Sequence, residues 1–377
     1  GTNVWSMMSV DRNRGIVFLP IGSPTYDFYG GDRKGKNLYG NSLVALNAAT
    51  GKLIWYFQTV HHDLWDYDFP PQPTLITVRR NNRSIPAVAQ VTKQGFVFVF
   101  NRITGEPLFP IEERPVPQST VPGEETWPTQ PFPVKPPALA RQSLTRQEVS
   151  EVTPESKRYC GELFDKLTNK GPYTPAGLEP TLMLPGYHGG GNWSGGSFDP
   201  STGYLYVNMN EDGAIGQMNP QPPGSAIPYV RKGRFEEYAW FRDQNSRPCQ
   251  QPPWGTLTAV DLNSGAIVWR IPLGFVEELK AKGQANTGTQ NLGGSFVTSG
   301  GLVFIAATTD RRFRAFDART GKLLWGGGLE GNGHATPMTF QGKKGGKQFV
   351  VIASGGGGFL RQLSSVLSDT LVAYSLP

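Results

Sequence analysis

A repeated eleven-residue motif constrains the fold of this chain more than any other feature of its sequence. It occupies residues 45–55, 259–269 and 315–325, and a degenerate copy lies at 99–109. Each copy joins an alternating run, an Asx-x-x-(Thr/Ser)-Gly turn and an apolar run that ends in Trp, or in Phe in the degenerate copy. The Gly suits the positive-φ position of a hairpin turn, so each copy predicts two antiparallel strands. Because the last two full copies begin 56 residues apart, the motif predicts four-stranded antiparallel blades and therefore an all-β propeller.

The number of copies predicts about four to five blades of a larger ring, with residues 1–377 forming a single propeller domain. The 47 Gly and 32 Pro residues favour short strands and turns over helices. Two stretches, about 106–185 and 209–253, depart from the repeat, and we interpret them as insertions between blades. A generic all-β sandwich with chance similarity is the alternative, and three near-identical copies argue against it.

Charge and cysteine content limit the functional classes. The net charge of +6 comes from scattered Lys and Arg residues, which favours a mildly basic surface over a nucleic-acid interface. The sequence contains no run of about 18 apolar residues, so it predicts no transmembrane helix within these 377 residues. Cys160 and Cys249 lack a zinc-type spacing, so they either form a disulfide in an oxidising compartment or remain two separate buried thiols. A start at Gly1, without an initiator Met or a signal peptide, favours a processed or truncated chain.

The densest polar and aromatic cluster covers residues 60–73, shortly after the first repeat. Three carboxylates, Asp63, Asp66 and Asp68, lie within six residues of each other there. Such charges repel one another unless a metal, a cation or hydrogen-bond donors lie among them. The cluster therefore predicts either a functional loop that lines a propeller channel or ordinary turn chemistry around a structural Trp.

Residues 61–68 closely resemble the active-site segment of pyrroloquinoline-quinone (PQQ) dependent dehydrogenases, especially the membrane-associated glucose dehydrogenase branch. The Trp-terminated copies resemble the tryptophan-docking repeats of that family's eight-bladed propeller. The similarity continues through most of the chain, at residues 90–95, 189–193, 306–310, 333–338 and 371–374. The resemblance implies the C-terminal portion of a periplasmic enzyme, associated with the inner membrane through another part. Such an enzyme oxidises a sugar or an alcohol and passes electrons to a quinone or a cytochrome.

The resemblance also implies roles for individual residues. Asp66 is expected to be the catalytic base that takes the substrate hydroxyl proton, and Lys93 the cation beside the quinone oxygens of PQQ. Asn192 is expected to hydrogen-bond the cofactor, with Trp193 packed nearby, and Asp310 matches a polar position near the site. From the residues alone, the ordinary interpretation is favoured for each of them: Lys93 as a surface Lys, Asn192 as part of a flexible turn, and Asp310 as the end of a hairpin.

Family members hold Ca²⁺, or in some branches a lanthanide, between PQQ and protein oxygens. The resemblance makes Asp66, Asp68 and Ser23 the candidate ligands, because hard cations bind carboxylate and other oxygens. Ser23 stands where many relatives have an Asn, and a hydroxyl is a poorer ligand. Asp68 does not distinguish the two metals, because the glucose dehydrogenase branch also has Asp there.

Two further departures from the family pattern concern the substrate and the completeness of the site. Glucose dehydrogenases carry Gly-Gly-His where this chain has four Gly at 355–358, which weakens the case for glucose. The family's N-terminal blades, with an acidic metal ligand and cofactor-stacking residues, are absent from these 377 residues. We therefore expect a partial site, with the remaining blades as a partner segment or a separate chain.

Two classes of function remain open. One is the PQQ-dependent oxidoreductase, and the other is a non-catalytic propeller that uses the PQQ-type repeat as a scaffold for protein contacts. A scaffold has no requirement for Asp66, Lys93 and Asn192 together, and the presence of all three favours the enzyme. A propeller glycosidase would need a second, separated carboxylate, for which the sequence offers no candidate.

Overall fold

The computed structural model describes residues 1–231, 239–357 and 366–376, and antiparallel strands dominate it. Alternating runs form these strands because every second side chain lies on the same face of a sheet. In Ile16–Pro20, for example, buried residues alternate with half-buried ones. The predicted all-β class is confirmed. Of the four Gly at 355–358, the last lies outside the described residues.

The chain divides into two compact units, each with its own hydrophobic core. The first comprises Gly1–Leu75, Pro86–Gly191 and Glu211–Gln251, and the second comprises Ile76–Ile85, Asn192–Asn210 and Pro252–Pro377. Within the part of the chain that is described, no helix is long and apolar enough to cross a membrane.

Three four-stranded antiparallel sheets carry the full copies of the repeat. The first has the order β1 (Ser9–Asp11), β2 (Ile16–Pro20), β3 (Ser42–Asn47), β4 (Leu53–Gln58). The second has the order β11 (Gly196–Asp199), β12 (Tyr204–Asn210), β17 (Gly255–Asp261), β18 (Ala266–Pro272). The third has the order β19 (Ser295–Val297), β20 (Leu302–Ile305), β21 (Arg312–Asp317), β22 (Leu323–Gly328). In each sheet the repeat forms the third and fourth strands, as the motif predicts.

The remaining strands form smaller sheets. The three-stranded sheets are β5 (Thr74–Arg80), β6 (Arg83–Val91), β7 (Val97–Asn101); β10 (Thr181–Met183), β13 (Ala214–Gly216), β16 (Ala239–Trp240); and β23 (Met338–Gln341), β24 (Gln348–Ser354), β25 (Thr370–Ser375). The two-stranded sheets are β8 (Ile111–Pro115) with β9 (Thr129–Pro133) and β14 (Met218–Pro220) with β15 (Tyr229–Arg231). The helices are α1 (Pro154–Phe164), α2 (Glu277–Ala281) and a 3₁₀ turn at Arg146–Glu148.

The Trp of one repeat packs on the turn Gly of the next. A Cβ added at Gly105 would lie 2.7 Å from the Trp55 ring, and one added at Gly321 would lie 2.8 Å from the Trp269 ring. Each indole N–H donates a 3.1 Å hydrogen bond to a backbone carbonyl of the same following turn. The two turn glycines have φ values of +77° and +70°. These contacts are the tryptophan docking that the resemblance predicts.

The stretches that break the repeat contain the short elements. Residues 106–185 hold the β8–β9 hairpin, the 3₁₀ turn, α1 and β10, whereas the described part of 209–253 holds β13 to β16. A disulfide joins Cys160 of α1 to Cys249, so the pairing of these cysteines is confirmed, and the oxidising compartment stays a prediction. The insertion boundaries, the single-domain interpretation and the count of four to five blades in an eight-bladed ring stay predictions.

Candidate active site

Asp63 organises the loop that carries the predicted base. Its side chain is buried and accepts hydrogen bonds from the backbone N–H groups of Trp65 and Tyr67, both at 2.8 Å, and from Asn41 Nδ2 at 2.9 Å. Burial raises the pKa of this carboxyl to about 6, although the hydrogen bonds act in the opposite direction. Asp63 therefore supports the turn between β4 and β5 and lies too deep to meet a ligand.

Asp66 adopts a left-handed backbone conformation within this loop. Its φ is +58°, which costs a non-glycine residue of order 1 kcal/mol or more and persists only where the surroundings hold it. The conformation brings both the carbonyl and the carboxyl group of Asp66 to Lys93. Lys93 Nζ donates a 2.6 Å hydrogen bond to the Asp66 carbonyl and lies 3.4 Å from Asp66 Oδ1.

Lys93 lies in the hairpin turn between β6 and β7 and is almost fully buried. Its Nζ is also 3.1 Å from Asp68 Oδ2, so the ammonium group bridges two carboxylates. Burial alone would lower the pKa of Lys93, but the charges of Asp66 and Asp68 outweigh it and the net shift is upward. The resemblance-based placement of Lys93 beside Asp66 therefore fits the geometry, whereas an ordinary surface Lys does not.

Asp68 and Ser23 complete the cluster. Ser23 donates to Asp68 Oδ1 through both its backbone N–H and its hydroxyl, each at 2.7 Å. Burial would raise the pKa of Asp68, but Lys93, a hydrogen bond from Asp66 and the two Ser23 donors lower it overall. Burial raises the pKa of Asp66 well above its usual range, and the nearby charge of Asp68 adds to this rise against the opposing effect of Lys93. The packing thus shifts the pKa values of the two carboxyl groups in opposite directions, upward for Asp66 and downward for Asp68.

A glycine loop packs directly on Lys93. The N–H of Gly190 donates to the Lys93 carbonyl at 2.6 Å, and the N–H of Gly191 donates to the Thr92 carbonyl at 3.2 Å. A Cβ added at Gly189 would lie 2.5 Å from Lys93 Cγ. At Gly189 only a residue without a side chain allows this approach, so the loop packs closely on the backbone and the aliphatic stem of Lys93.

Two residues near this cluster were not identified from the sequence. The Trp5 ring centroid lies 5.8 Å from Lys93 Nζ, and 45% of this residue is exposed. Asp27 is exposed and interacts electrostatically with the cluster; partial desolvation and the charge of Asp68 raise its pKa, and Lys93 opposes the rise. Both belong to segments without a repeat or a motif, so only the three-dimensional structure identifies them.

The first unit therefore brings together four of the predicted site residues, namely Ser23, Asp66, Asp68 and Lys93. Across the residues that the structure describes, no group of three or more His, Cys, Asp or Glu side chains converges as a metal site would require. Asp66, Asp68 and the Ser23 hydroxyl are nevertheless hard oxygen donors of the kind that Ca²⁺ and lanthanide ions accept. As ligands, all three stay predictions.

The other three predicted residues belong to the second unit. Asn192 Oδ1 accepts a hydrogen bond from the Trp193 N–H at 2.8 Å, and the Trp193 residue is 39% exposed. Asp310 accepts hydrogen bonds from the Thr308 hydroxyl and from the Phe275 N–H, and it forms an ion pair with Arg314. These contacts agree with the hairpin interpretation of Asp310. The cofactor-binding roles of Asn192, Trp193 and Asp310 stay predictions.

Comparison with known proteins adds independent information. Residues 1–350 match the family model described as "Glucose/ethanol/alcohol dehydrogenase, beta-propeller domain". The whole chain is 39% identical to a probable quinate dehydrogenase (quinone) of Xanthomonas campestris pv. juglandis, of which it covers 50%. It is 35% identical to the quinoprotein glucose dehydrogenase of Escherichia coli K12, of which it covers 49%. The chain thus spans about half the length of these curated relatives.

Solved structures agree on the fold. Over 99% of the chain, the structure superposes with a TM-score of 0.66 and 21% identity on a quinohemoprotein alcohol dehydrogenase from Comamonas testosteroni, covering 48% of that chain. A europium-containing methanol dehydrogenase gives a TM-score of 0.64 at 22% identity, with 96% of this chain and 52% of that chain covered. At these identities the similarity shows the fold alone.

Proposed function

Because the chain belongs to the family of PQQ-dependent dehydrogenases with a β-propeller domain, we propose that it supplies the catalytic base and a cofactor-binding lysine of an oxidoreductase. The substrate is a hydroxyl group of a sugar or another alcohol. The observation that supports this proposal is the buried cluster of Asp66, Lys93 and Asp68, in which one ammonium group bridges two carboxylates. A non-catalytic scaffold would have no use for such a cluster.

Asp66 acts as the base. Its carboxyl group faces Lys93, and the raised pKa that burial produces makes its ionised form a stronger proton acceptor than an ordinary aspartate. When the carbinol carbon loses its hydrogen with two electrons, the hydroxyl proton passes to Asp66 and a carbonyl forms. Asp68 remains ionised through Ser23 and Lys93, and it orients the ammonium group.

The residues around Lys93 fit a flat anionic quinone. When bound, PQQ accepts the hydrogen and the two electrons of the substrate as a hydride equivalent. Lys93 carries a permanent positive charge that would hold the quinone oxygens, and Trp5 offers an exposed aromatic surface beside it. Asn192 and Trp193 are the further cofactor contacts that we propose from the family resemblance.

A divalent or trivalent cation would be held by Asp66, Asp68 and Ser23, and it would polarise the quinone carbonyl. Ca²⁺ takes six to eight oxygen ligands, so cofactor oxygens, water or the rest of the full-length protein would supply the others. The positive charge would also favour the ionised form of Asp66.

The relatives indicate the range of substrates and acceptors. Their names specify quinate and glucose as substrates and a quinone as the electron acceptor. We extend to this chain the coarser class, a polyol or sugar substrate with a quinone or cytochrome acceptor, and a periplasmic location. The activity is that of the whole protein.

The test is reconstitution of the full-length protein with PQQ and Ca²⁺ under anaerobic conditions. PQQ binding is followed by tryptophan fluorescence, and turnover is measured with an artificial dye against alcohols, aldoses and cyclic polyols. Asp66→Asn should bind PQQ but lose 10²- to 10⁴-fold in kcat, the range expected for loss of a general base. Asp32→Asn, which changes an exposed aspartate of the same unit, is the matched control and should behave as the wild type.

Two results would contradict the proposal. One is the absence of saturable PQQ binding by the full-length protein, which favours the scaffold function. The other is PQQ-dependent turnover that Asp66→Asn leaves intact, which would assign the base elsewhere.

A further inference from the structure

The hydroxyl group of Tyr67 connects the loop that carries Asp66 to a distant segment of the first unit. Tyr67 lies between Asp66 and Asp68 and is only 2% exposed. Its hydroxyl donates a 2.7 Å hydrogen bond to the carbonyl of Pro185, which is 118 positions further along the chain. The Tyr67 carbonyl accepts a 2.8 Å hydrogen bond from Asn41 Nδ2. The side chain and the backbone of Tyr67 are therefore both bonded to partners within this unit.

The carbonyl that accepts the Tyr67 hydroxyl begins a tight turn that leads to Lys93. In this turn the Gly186 N–H donates to the Asp212 carbonyl at 2.9 Å, and the Gly189 N–H donates to the Gly186 carbonyl at 2.7 Å. The Gly190 N–H then donates to the Lys93 carbonyl at 2.6 Å. Backbone hydrogen bonds thus fix the position of the accepting carbonyl relative to Lys93.

Asp66 and Lys93 are therefore connected by two routes. The first is the direct contact of Lys93 Nζ with the carbonyl and the carboxyl group of Asp66. The second passes from Asp66 to the adjacent Tyr67, through its hydroxyl bond to Pro185, and along the glycine turn to Lys93. A catalytic group needs to be held within about 0.5 Å of its productive position, and a second restraint of this kind supplies such precision.

The same aromatic cluster contains a second buried tyrosine, whose hydroxyl makes no such bond. Tyr173 packs edge to face on Trp65 and Tyr67, with ring centroids 5.1 Å and 5.9 Å apart. Its hydroxyl is buried, and no hydrogen-bond partner for it lies among the residues that the structure describes. Removal of a hydroxyl without a partner costs little, whereas removal at Tyr67 leaves the buried Pro185 carbonyl unpaired. The two tyrosines therefore separate the effect of the hydrogen bond from that of ring packing.

We propose that Tyr67 is a positioning residue, whose hydroxyl bond to Pro185 holds Asp66 at the distance from Lys93 that proton removal from the substrate requires. This inference rests on the proposed function and names the residue that places its base. Lys93 keeps its own backbone bond to Gly190 when the Tyr67 hydroxyl is removed. The Asp66 loop is then displaced while the lysine stays in place. The chemical step therefore slows, whereas substrate and cofactor binding persist.

The experiment compares Tyr67→Phe with Tyr173→Phe in the full-length protein loaded with PQQ and Ca²⁺. The substrate is the alcohol, aldose or cyclic polyol that the wild type oxidises fastest. Turnover is divided by the PQQ-loaded fraction, measured by tryptophan fluorescence, so that inactive molecules do not count. Tyr67→Phe should lower kcat about 10- to 100-fold, the order expected for a misplacement of about 1 Å, with KM and the Kd of PQQ unchanged within about threefold. Tyr173→Phe should retain all three wild-type values.

Amide hydrogen exchange of the PQQ-free protein provides a measurement that is independent of turnover. In Tyr67→Phe, peptides that cover residues 63–69 should exchange faster than in the wild type, because their loop opens more readily without the hydroxyl bond. Peptides that cover β3 of the same unit should keep their wild-type rates. Tyr173→Phe should change neither set of peptides.

Three results would overturn the inference. The first is a wild-type kcat in Tyr67→Phe, and the second is an equal loss of kcat in Tyr173→Phe. The third is faster exchange throughout the first unit in Tyr67→Phe, which would show a general loss of stability instead of a local one. If the PQQ-loaded wild type oxidises no substrate of the panel, the proposed function has failed, and the exchange of residues 63–69 alone decides whether Tyr67 fixes the loop.

Discussion

Replacement of Gly189 by alanine tests how the glycine loop positions Lys93. Gly189 has a φ of +80°, and a Cβ there would lie 2.5 Å from Lys93 Cγ and 2.6 Å from Lys93 Cα. The left-handed conformation costs an alanine roughly 1–2 kcal/mol, and forcing a methyl group into a packed contact costs about 1–3 kcal/mol more. Gly189→Ala should therefore lower the free energy of unfolding by about 2–5 kcal/mol.

The matched control is Gly35→Ala. Gly35 has the same φ of +80°, but no atom lies within 4 Å of its Cβ position. This variant should lose only the conformational part, roughly 1–2 kcal/mol. Urea unfolding of both variants in the full-length protein isolates the contact with Lys93 as the difference, about 1–3 kcal/mol.

Function provides the second measurement. Because Lys93 must shift to admit the methyl group, Gly189→Ala should weaken PQQ binding and lower dye-linked activity, whereas Gly35→Ala should do neither. Equal losses of stability in the two variants, within about 0.5 kcal/mol, would show that Lys93 moves away from the added methyl group without a measurable cost in free energy. The close packing would then have no role in positioning it.

Three further predictions concern stability. Replacing Cys160 and Cys249 by serine should lower the free energy of unfolding by roughly 2–5 kcal/mol, because the disulfide spans 89 positions; thermal unfolding with and without reductant measures this, and the variant should not respond to reductant. Burial lowers the pKa of His188 to about 3, so the unfolded chain binds a proton below about pH 6.5 that the folded chain excludes. Stability should therefore fall as the pH decreases from 6.5 toward 5, by at most about 1.4 kcal/mol per pH unit, and a His188→Gln variant with the same pH slope would contradict this. A Cβ at Gly321 would lie 2.8 Å from the Trp269 ring, so Gly321→Ala should lose about 2–5 kcal/mol and alter tryptophan fluorescence; an unchanged emission spectrum would argue against this docking contact.

The repeat was predictable because its signals are local. A turn glycine, an alternating strand and a terminal Trp lie within eleven residues, and the same register shift follows Ala45, Ala259 and Ala315 in the three full copies. The sheet of β10, β13 and β16 was not predictable. Its strands contain only two or three residues and pair across long stretches of chain, so no periodicity marks them.

The candidate site, like the fold, was predictable from the sequence only in part. Asp66, Asp68 and Lys93 were identified because two of them lie in one distinctive segment and the third in a short resembling turn. Trp5 and Asp27 come from segments without a repeat or a motif. Only the folded chain brings Trp5 close to Lys93 and places Asp27 where it interacts electrostatically with Asp68, so no pattern along the sequence indicates either interaction.

The three neighbouring carboxylates show how the fold separates similar residues into different roles. The sequence predicts repulsion unless a metal, a cation or hydrogen-bond donors intervene, and the structure supplies the last two. Asp63 receives backbone and amide donors, and Asp68 receives Ser23 and Lys93. The pKa of Asp66 is raised well above its usual range, and its side chain is more open, 18% exposed against 12% for that of Asp68. A base needs both a raised proton affinity and access to its substrate, and the packing that relieves the repulsion gives Asp66 both, in line with the role that we propose for it.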